Sequence, residues 1–281
     1  MTDQNVPASL FAKVAGVDIH YHDIGAGEPV ILLHGGGPGA SGFSNYSRNV
    51  DALSRGFRLI VPDLIGFGQS AKPALEGPRF AIYANSVLGL MDKLGIEKAH
   101  VVGNSLGGGA TIKMALLAPD RVMRMVLMGP AGLLAPSTPA PTVGIRQIME
   151  FYMGAGPTRE KLASFLETLI YDRSVLTDAL IDERFAAATT PDLIANPPLG
   201  KGGPPPVEAL WKDNLGALSH ETLVLWGRED RVNPVDMHLT LMAQLPNAQF
   251  TMFTRCGHWV QWEKAKAFNA MVAAFLAGDI L

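Results

Sequence analysis

A serine with glycines two positions away on either side occurs at Gly103-Asn104-Ser105-Leu106-Gly107, directly after the apolar run Ala99-His100-Val101-Val102. A strand that ends in Gly-x-Ser-x-Gly and passes at once into a helix forms a nucleophile elbow, a turn so sharp that only small residues fit at the flanking positions. The Ser105 hydroxyl then stands at the tip, with the N–H of Leu106 free at a helix N-terminus. In a chain with 30 glycines the pattern also arises by chance, so the other members of a serine site decide its meaning. A serine hydroxyl is a weak nucleophile and needs a base that a third group orients. Three histidines follow Ser105 in the chain. His220 precedes a strand-like run and His238 lies in a helical stretch. His258, in Cys256-Gly257-His258-Trp259, comes just after the last strand-like run and is the base expected at the sheet edge that carries the elbow. The acid is expected in Trp226-Gly227-Arg228-Glu229-Asp230-Arg231. Asp230 is favoured over Glu229, because a shorter carboxylate on a tight turn holds one geometry. An oxyanion hole needs two backbone donors: Leu106 offers one, and Gly36 or Gly37, in His34-Gly35-Gly36-Gly37-Pro38-Gly39-Ala40, offers the other.

These groups need a scaffold that brings distant loops to one edge. Leu10 to Ala15 and Val17 to His22 read as an edge hairpin, with His20 and His22 alternating onto one solvent-facing side. Pro29 to Leu33 is a continuous apolar run, as expected of a strand buried on both faces of a parallel sheet, and it empties into the glycine loop. A helix over Ser44 to Leu53, a strand Phe57 to Val61, the turn Asp63-Leu64-Ile65-Gly66-Phe67-Gly68 and a helix Phe80 to Leu94 follow. The elbow strand and its helix come next, then a strand Arg124 to Met128. Beyond it the pattern changes. Residues 133–215 contain no buried-strand run, helical stretches (Val143 to Met153, Thr158 to Tyr171, Leu176 to Ala188) dominate, and prolines gather at Pro197, Pro198 and Pro204 to Pro206. This segment reads as a helical lid inserted after the sixth strand. Strand and helix then resume with Thr222 to Trp226, Pro234 to Leu245, Gln249 to Phe253 and Glu263 to Leu276. The alternation predicts an α/β class: an open, mostly parallel sheet of eight strands flanked by helices, with core 1–132 and 216–281 and lid 133–215.

Composition narrows the function classes. With 281 residues, 48% of them hydrophobic, the chain can bury a large core. A net charge of −3 without a run of like charges makes nucleic acid and anionic membrane poor partners. The single Cys256 excludes an internal disulfide framework and a cysteine-rich zinc site. His20 and His22 lack a third ligand nearby, so no metal is expected. No apolar run approaches the roughly 20 residues of a membrane span, and a soluble cytoplasmic protein is expected.

Three blocks, His34 through Val50 (HGGGPGASGFSNYSRNV), Val102 through Gly108 (VGNSLGG) and Cys256 through Glu263 (CGHWVQWE), make the chain resemble the α/β-hydrolase superfamily over nearly its full length. Within it the chain is similar to the meta-cleavage product hydrolases, above all those acting on biphenyl- or dibenzofuran-type products. The resemblance implies the α/β-hydrolase fold and hydrolysis of a C–C bond in a 2-hydroxy-6-oxo-6-arylhexa-2,4-dienoate. It implies no cofactor and a homodimer or higher homo-oligomer. Carried over by position, Asn45, Asn104, Ser174, Arg184 and Trp259 would hold the carboxylate and enol, a job suited to a guanidinium fork, amides and an indole N–H. The other end should be apolar, with Trp211 and Leu169 the best candidates among Leu133, Met149, Met153, Leu169, Trp211 and Val232. Relatives often carry an aromatic residue where this chain has Leu169. Two alternatives share the scaffold: a serine carboxylesterase, which needs no carboxylate clamp, and a small-molecule receptor.

Overall fold

A computed structural model describes residues 6–199 and 208–280. The hairpin β1 (Leu10–Val14) and β2 (Val17–Ile24) is followed by β3 (Glu28–Leu33), the short helices α1 (Gly42–Tyr46) and α2 (Val50–Leu53), and β4 (Phe57–Pro62). Then come α3 (Arg79–Lys93), β5 (Ala99–Asn104), α4 (Leu106–Leu117) and β6 (Val122–Met128). Among the described residues, four α-helices lie between β6 and the next strand: α5 (Val143–Glu150), α6 (Arg159–Leu169), α7 (Asp178–Ala188) and α8 (Pro191–Ala195). Pro204 to Pro206, part of the expected proline cluster, fall outside the described residues. The chain closes with β7 (Thr222–Gly227), α9 (His238–Gln244), β8 (Ala248–Phe253), α10 (Val260–Glu263) and α11 (Ala265–Ala277).

The eight strands form one sheet in the order β1-β2-β4-β3-β5-β6-β7-β8. Only the pairs involving β2 are antiparallel; β4 through β8 run parallel, so the loops after β3, β5, β7 and β8 leave from one edge. Apolar side chains alternate between the two faces of β3 and β5. Ile31, Leu33 and Val101 pack with α3 and α4, whereas Val30, Leu32 and Val102 pack with α11 and Tyr46. A third cluster, including Phe151, Leu162, Phe165 and Trp259, fills the space between the inserted helices and the sheet edge.

Three expectations change. The helix expected over Ser44 to Leu53 is two helices, because Asn49 leaves helical geometry and its Nδ2 donates to Gln261 O at 2.9 Å and Asn269 Oδ1 at 2.7 Å. The last helix is likewise interrupted, at Lys264. His20 and His22 are buried rather than solvent-facing. Period-2 alternation says only that they share a face. The loop after β4 covers His20, whose Nδ1 lies 2.8 Å from Asp63 Oδ2, and His22 lies against Phe43 with its Nδ1 2.9 Å from Ala8 O.

Candidate active site

Ser105 sits between β5 and α4 with φ 53° and ψ −112°, backbone space that a Cβ-bearing residue rarely occupies. The flanking glycines are a steric necessity. A Cβ on Gly103 would lie 2.4 Å from Gly107 O, and one on Gly107 would lie 2.3 Å from Leu33 O. Among the described residues, no protein acceptor takes up the N–H groups of Leu106, Gly36 or Gly37. The glycine loop approaches the elbow: a Cβ on Gly35 would meet Ser105 Cβ at 3.4 Å, one on Gly36 would touch the Leu106 side chain, and Gly37 lines the same cavity as Ser105. His34 fixes this loop, its Nδ1 2.7 Å from Gly35 O while Nε2 accepts from Leu64 N at 2.9 Å. Those bonds require the neutral ring, and burial lowers its pKa accordingly.

His258 Nδ1 lies 2.6 Å from Asp230 Oδ2, with both side chains almost fully buried. The other oxygen of Asp230 accepts from Val232 N at 2.8 Å and Asn233 N at 2.9 Å, so the carboxylate is held at both ends. Glu229 points elsewhere, accepting from Cys256 N at 3.0 Å. His220 and His238 are directed to the backbone oxygens of Pro119 and Val235. The ring of His258 and Ser105 line one narrow cavity, together with Gly36, Gly37, Asn45, Asn104, Leu169, Arg184 and Trp259. With the ring clamped at Nδ1, Nε2 is the nitrogen left to exchange a proton.

At one side of this cavity Arg184, from α7, is buried without a carboxylate partner among the described residues. Its Nε donates to Pro38 O at 2.9 Å and its Nη1 to Ser44 Oγ at 3.0 Å, and it lies 5.2 Å from the centre of the Trp259 ring. Burial pushes its pKa down to about 10. A cation desolvated to this extent gains strongly from an anion. Apolar side chains complete the lining: Ile148, Phe165, Leu169 and Val232. A second cleft adjoins through Gly36, Gly37 and Ile148 and is lined by Phe67, Met149, Tyr152 and Leu193.

Two expected positions are not brought to the cavity. Ser174 is exposed, in a short turn after α6, and its hydroxyl donates to Asp172 Oδ1 at 2.6 Å, an interaction between near neighbours that keeps it at the surface. Trp211 packs from the side against the main core instead, with Lys212 5.1 Å from its ring. Of the remaining apolar candidates, Val232 lines the main cavity and Met149 the adjoining cleft, whereas Leu133 belongs to the core and Met153 is exposed. Phe165 and Ile148 escaped the sequence reading. Each lies on the apolar stripe of an amphipathic helix, and the stripe does not reveal which residue faces a void.

The family model for the alpha/beta hydrolase fold matches residues 28–265. A 2-hydroxy-6-oxo-6-phenylhexa-2,4-dienoate hydrolase from Burkholderia cepacia is 44% identical, over 92% of this chain and 91% of its own. A 2-hydroxy-6-oxononadienedioate/2-hydroxy-6-oxononatrienedioate hydrolase from Comamonas testosteroni is 43% identical over the same shares. Among solved structures, a meta-cleavage product hydrolase from Pseudomonas fluorescens superposes with a TM-score of 0.86 at 37% identity, covering 96% of this chain and 98% of that one. The chain belongs to the α/β-hydrolase family. Within it, it is a meta-cleavage product hydrolase, an enzyme that hydrolyses a C–C bond.

Proposed function

We propose that the protein hydrolyses 2-hydroxy-6-oxo-6-arylhexa-2,4-dienoates to 2-hydroxypenta-2,4-dienoate and an aromatic carboxylic acid, within the breakdown of aromatic compounds. The observation that carries this reading is one cavity that joins an elbow serine, a His258–Asp230 pair and a buried unpaired arginine to an apolar wall. Arg184 supplies the fork for the substrate carboxylate, and Asn45, Asn104 and the Trp259 indole face the neighbouring oxygen. His258, oriented by Asp230, moves the enol proton so that the dienol becomes a ketone able to accept the electrons of the breaking bond. The C6 carbonyl oxygen is held by the N–H groups of Leu106 and Gly37. Attack on C6, by Ser105 Oγ or by a water that it orients, then breaks C5–C6. The electron pair leaves with the dienoate fragment, and water completes the acid. No step requires a cofactor. Residues 133–215 serve as the lid, and the working form is a cytoplasmic homo-oligomer, which light scattering coupled to size exclusion would test.

An aryl substituent is favoured over a second carboxylate. Arg184 is the only cation among the described residues that line the cavity and its adjoining cleft. A dioate would leave its far carboxylate buried and unpaired, at a cost of several kcal/mol. Loss of the yellow dienoate absorbance tests the reading. Ser105→Ala is expected to lower the rate on a 6-phenyl dienoate by roughly 10³-fold or more. Undiminished turnover by that variant would end the proposal.

A further inference from the structure

Three successive main-chain N–H groups of the histidine loop are each taken by a different part of the molecule. Cys256 N donates to Glu229 Oε2 at 3.0 Å, Gly257 N to Glu263 Oε1 at 2.7 Å and His258 N to Leu169 O at 2.7 Å. Those acceptors sit on the acid loop, on α10 and at the end of α6. The loop has no slack: a Cβ on Gly257 would run into Leu169 O, and one on Gly227 into Gly257 O. The middle bond is made by a side chain with a second partner. Glu263 Oε2 accepts from Tyr171 N at 2.8 Å, two residues beyond α6. Burial raises the pKa of this carboxylate, and the N–H groups of Tyr171, Gly257 and Asp172 oppose the rise.

Each oxygen of Glu263 thus serves a different segment, Oε1 the histidine loop and Oε2 the insertion. Holding both needs two acceptor atoms on one rigid plane, which a carboxylate has and a carboxamide lacks. A glutamine would turn its NH₂ toward one of the two N–H groups, a donor facing a donor. Asp230 fixes the rotation of the His258 ring at Nδ1, whereas the main chain that carries the ring is fixed by the three N–H bonds. We propose that Glu263 is a positioning residue for the reaction: it sets the place of His258 Nε2 relative to Ser105 and keys that place to the seating of the inserted helices. Glu263 does not line the cavity, so it acts through His258 alone. The proposal rests on the reading of His258 as the base. A displacement of about 1 Å between reacting groups is enough to cost on the order of 10²-fold in rate.

The test compares the unsubstituted enzyme with Glu263→Gln and with a stability control, Glu221→Gln, which breaks the ion pair to Arg124 at the far end of β7. On a 6-phenyl dienoate Glu263→Gln is expected to lose roughly 10-fold to 100-fold in kcat, with KM changed by less than about 3-fold. The low-field proton resonance of the His258 Nδ1–H, which reports the bond to Asp230, should shift or broaden in the same variant. Glu221→Gln should keep both kcat and the resonance. An unchanged kcat in Glu263→Gln, a loss confined to KM, an unaltered resonance, or a loss matched by Glu221→Gln would overturn the assignment of Glu263. Undiminished turnover by His258→Ala would instead overturn the reading on which it rests. Should Glu263→Gln fail to fold, amide hydrogen exchange in the unsubstituted protein decides. The Gly257 and Tyr171 amides are expected to be protected to a similar degree, by roughly 10²-fold or more, and unprotected exchange at either would overturn the proposal.

Discussion

Buried charge and buried neutrality do different work around Ser105. Arg184 is the cation held out of water, and its two protein acceptors are neutral oxygens, so its gain on meeting a carboxylate is large. Arg184→Ala is expected to cost a 6-phenyl dienoate roughly 10²-fold in kcat/KM while costing a neutral aryl ester far less. Equal losses on both would favour a simple esterase. His34 and His100 illustrate the opposite case, since burial lowers both from 6.5. A folded-state pKa below that of the unfolded chain means that the unfolded chain takes up the proton first as pH falls. Stability is therefore complete above about pH 6.5 and declines below it, by up to roughly 1.4 kcal/mol per pH unit for each histidine. Thermal melts from about pH 8 to about pH 5 should show a plateau and then a falling midpoint. A midpoint that held constant to about pH 5 would contradict the role given to the His34 ring.

At the scale of elements, the elbow was the most legible feature, because its constraints are local. Gly103 and Gly107 are demanded by backbone oxygens within the same turn, so the sequence motif and the geometry are one fact. Strain remains at Ser105, whose positive φ is held by the bonds Ser105 N–Met128 O and Gly109 N–Ser105 O. Ser105→Gly is thus expected to unfold at a higher temperature than Ser105→Ala, by the equivalent of about 1 kcal/mol. A lower midpoint for the glycine variant would argue against strain. The inserted helices were less legible. Their existence followed from period and proline punctuation, but their orientation did not. Ser174 lies on a turn that faces solvent, and Phe165, which lines the cavity, lies on a stripe that looks like ordinary core. Which residue of a stripe faces a void depends on how α5, α6 and α7 pack, and helix periodicity carries no such information.

For the whole molecule, the alternation of strand and helix with apolar runs in the middle strands was enough to read the sheet and to set the loops after β3, β5, β7 and β8 along one edge. The burial of His20 was not, because it depends on Asp63 and its loop arriving from 43 residues away, nor was that of His22, which lies against Ala8 and Phe43. The same holds for substrate choice, which depends on two helices and a strand loop meeting around one void. A panel of 6-substituents should rank phenyl and alkyl dienoates well above the dioate in kcat/KM, by roughly 10²-fold. Preference for the dioate would place an additional cation at the site.

The bonds that stitch the inserted helices to the histidine loop are made by main-chain atoms of the insertion. His258 N donates to Leu169 O at 2.7 Å, and the Glu263 carboxylate accepts from Tyr171 N at 2.8 Å and from Gly257 N at 2.7 Å. Apolar side chains along α5 and α6 can therefore drift, and with them the shape of the pocket, without loosening the histidine. In evolutionary terms the reaction and its range of substrates sit on separately mutable parts of one chain. A pocket of new shape then needs changes in the insertion alone.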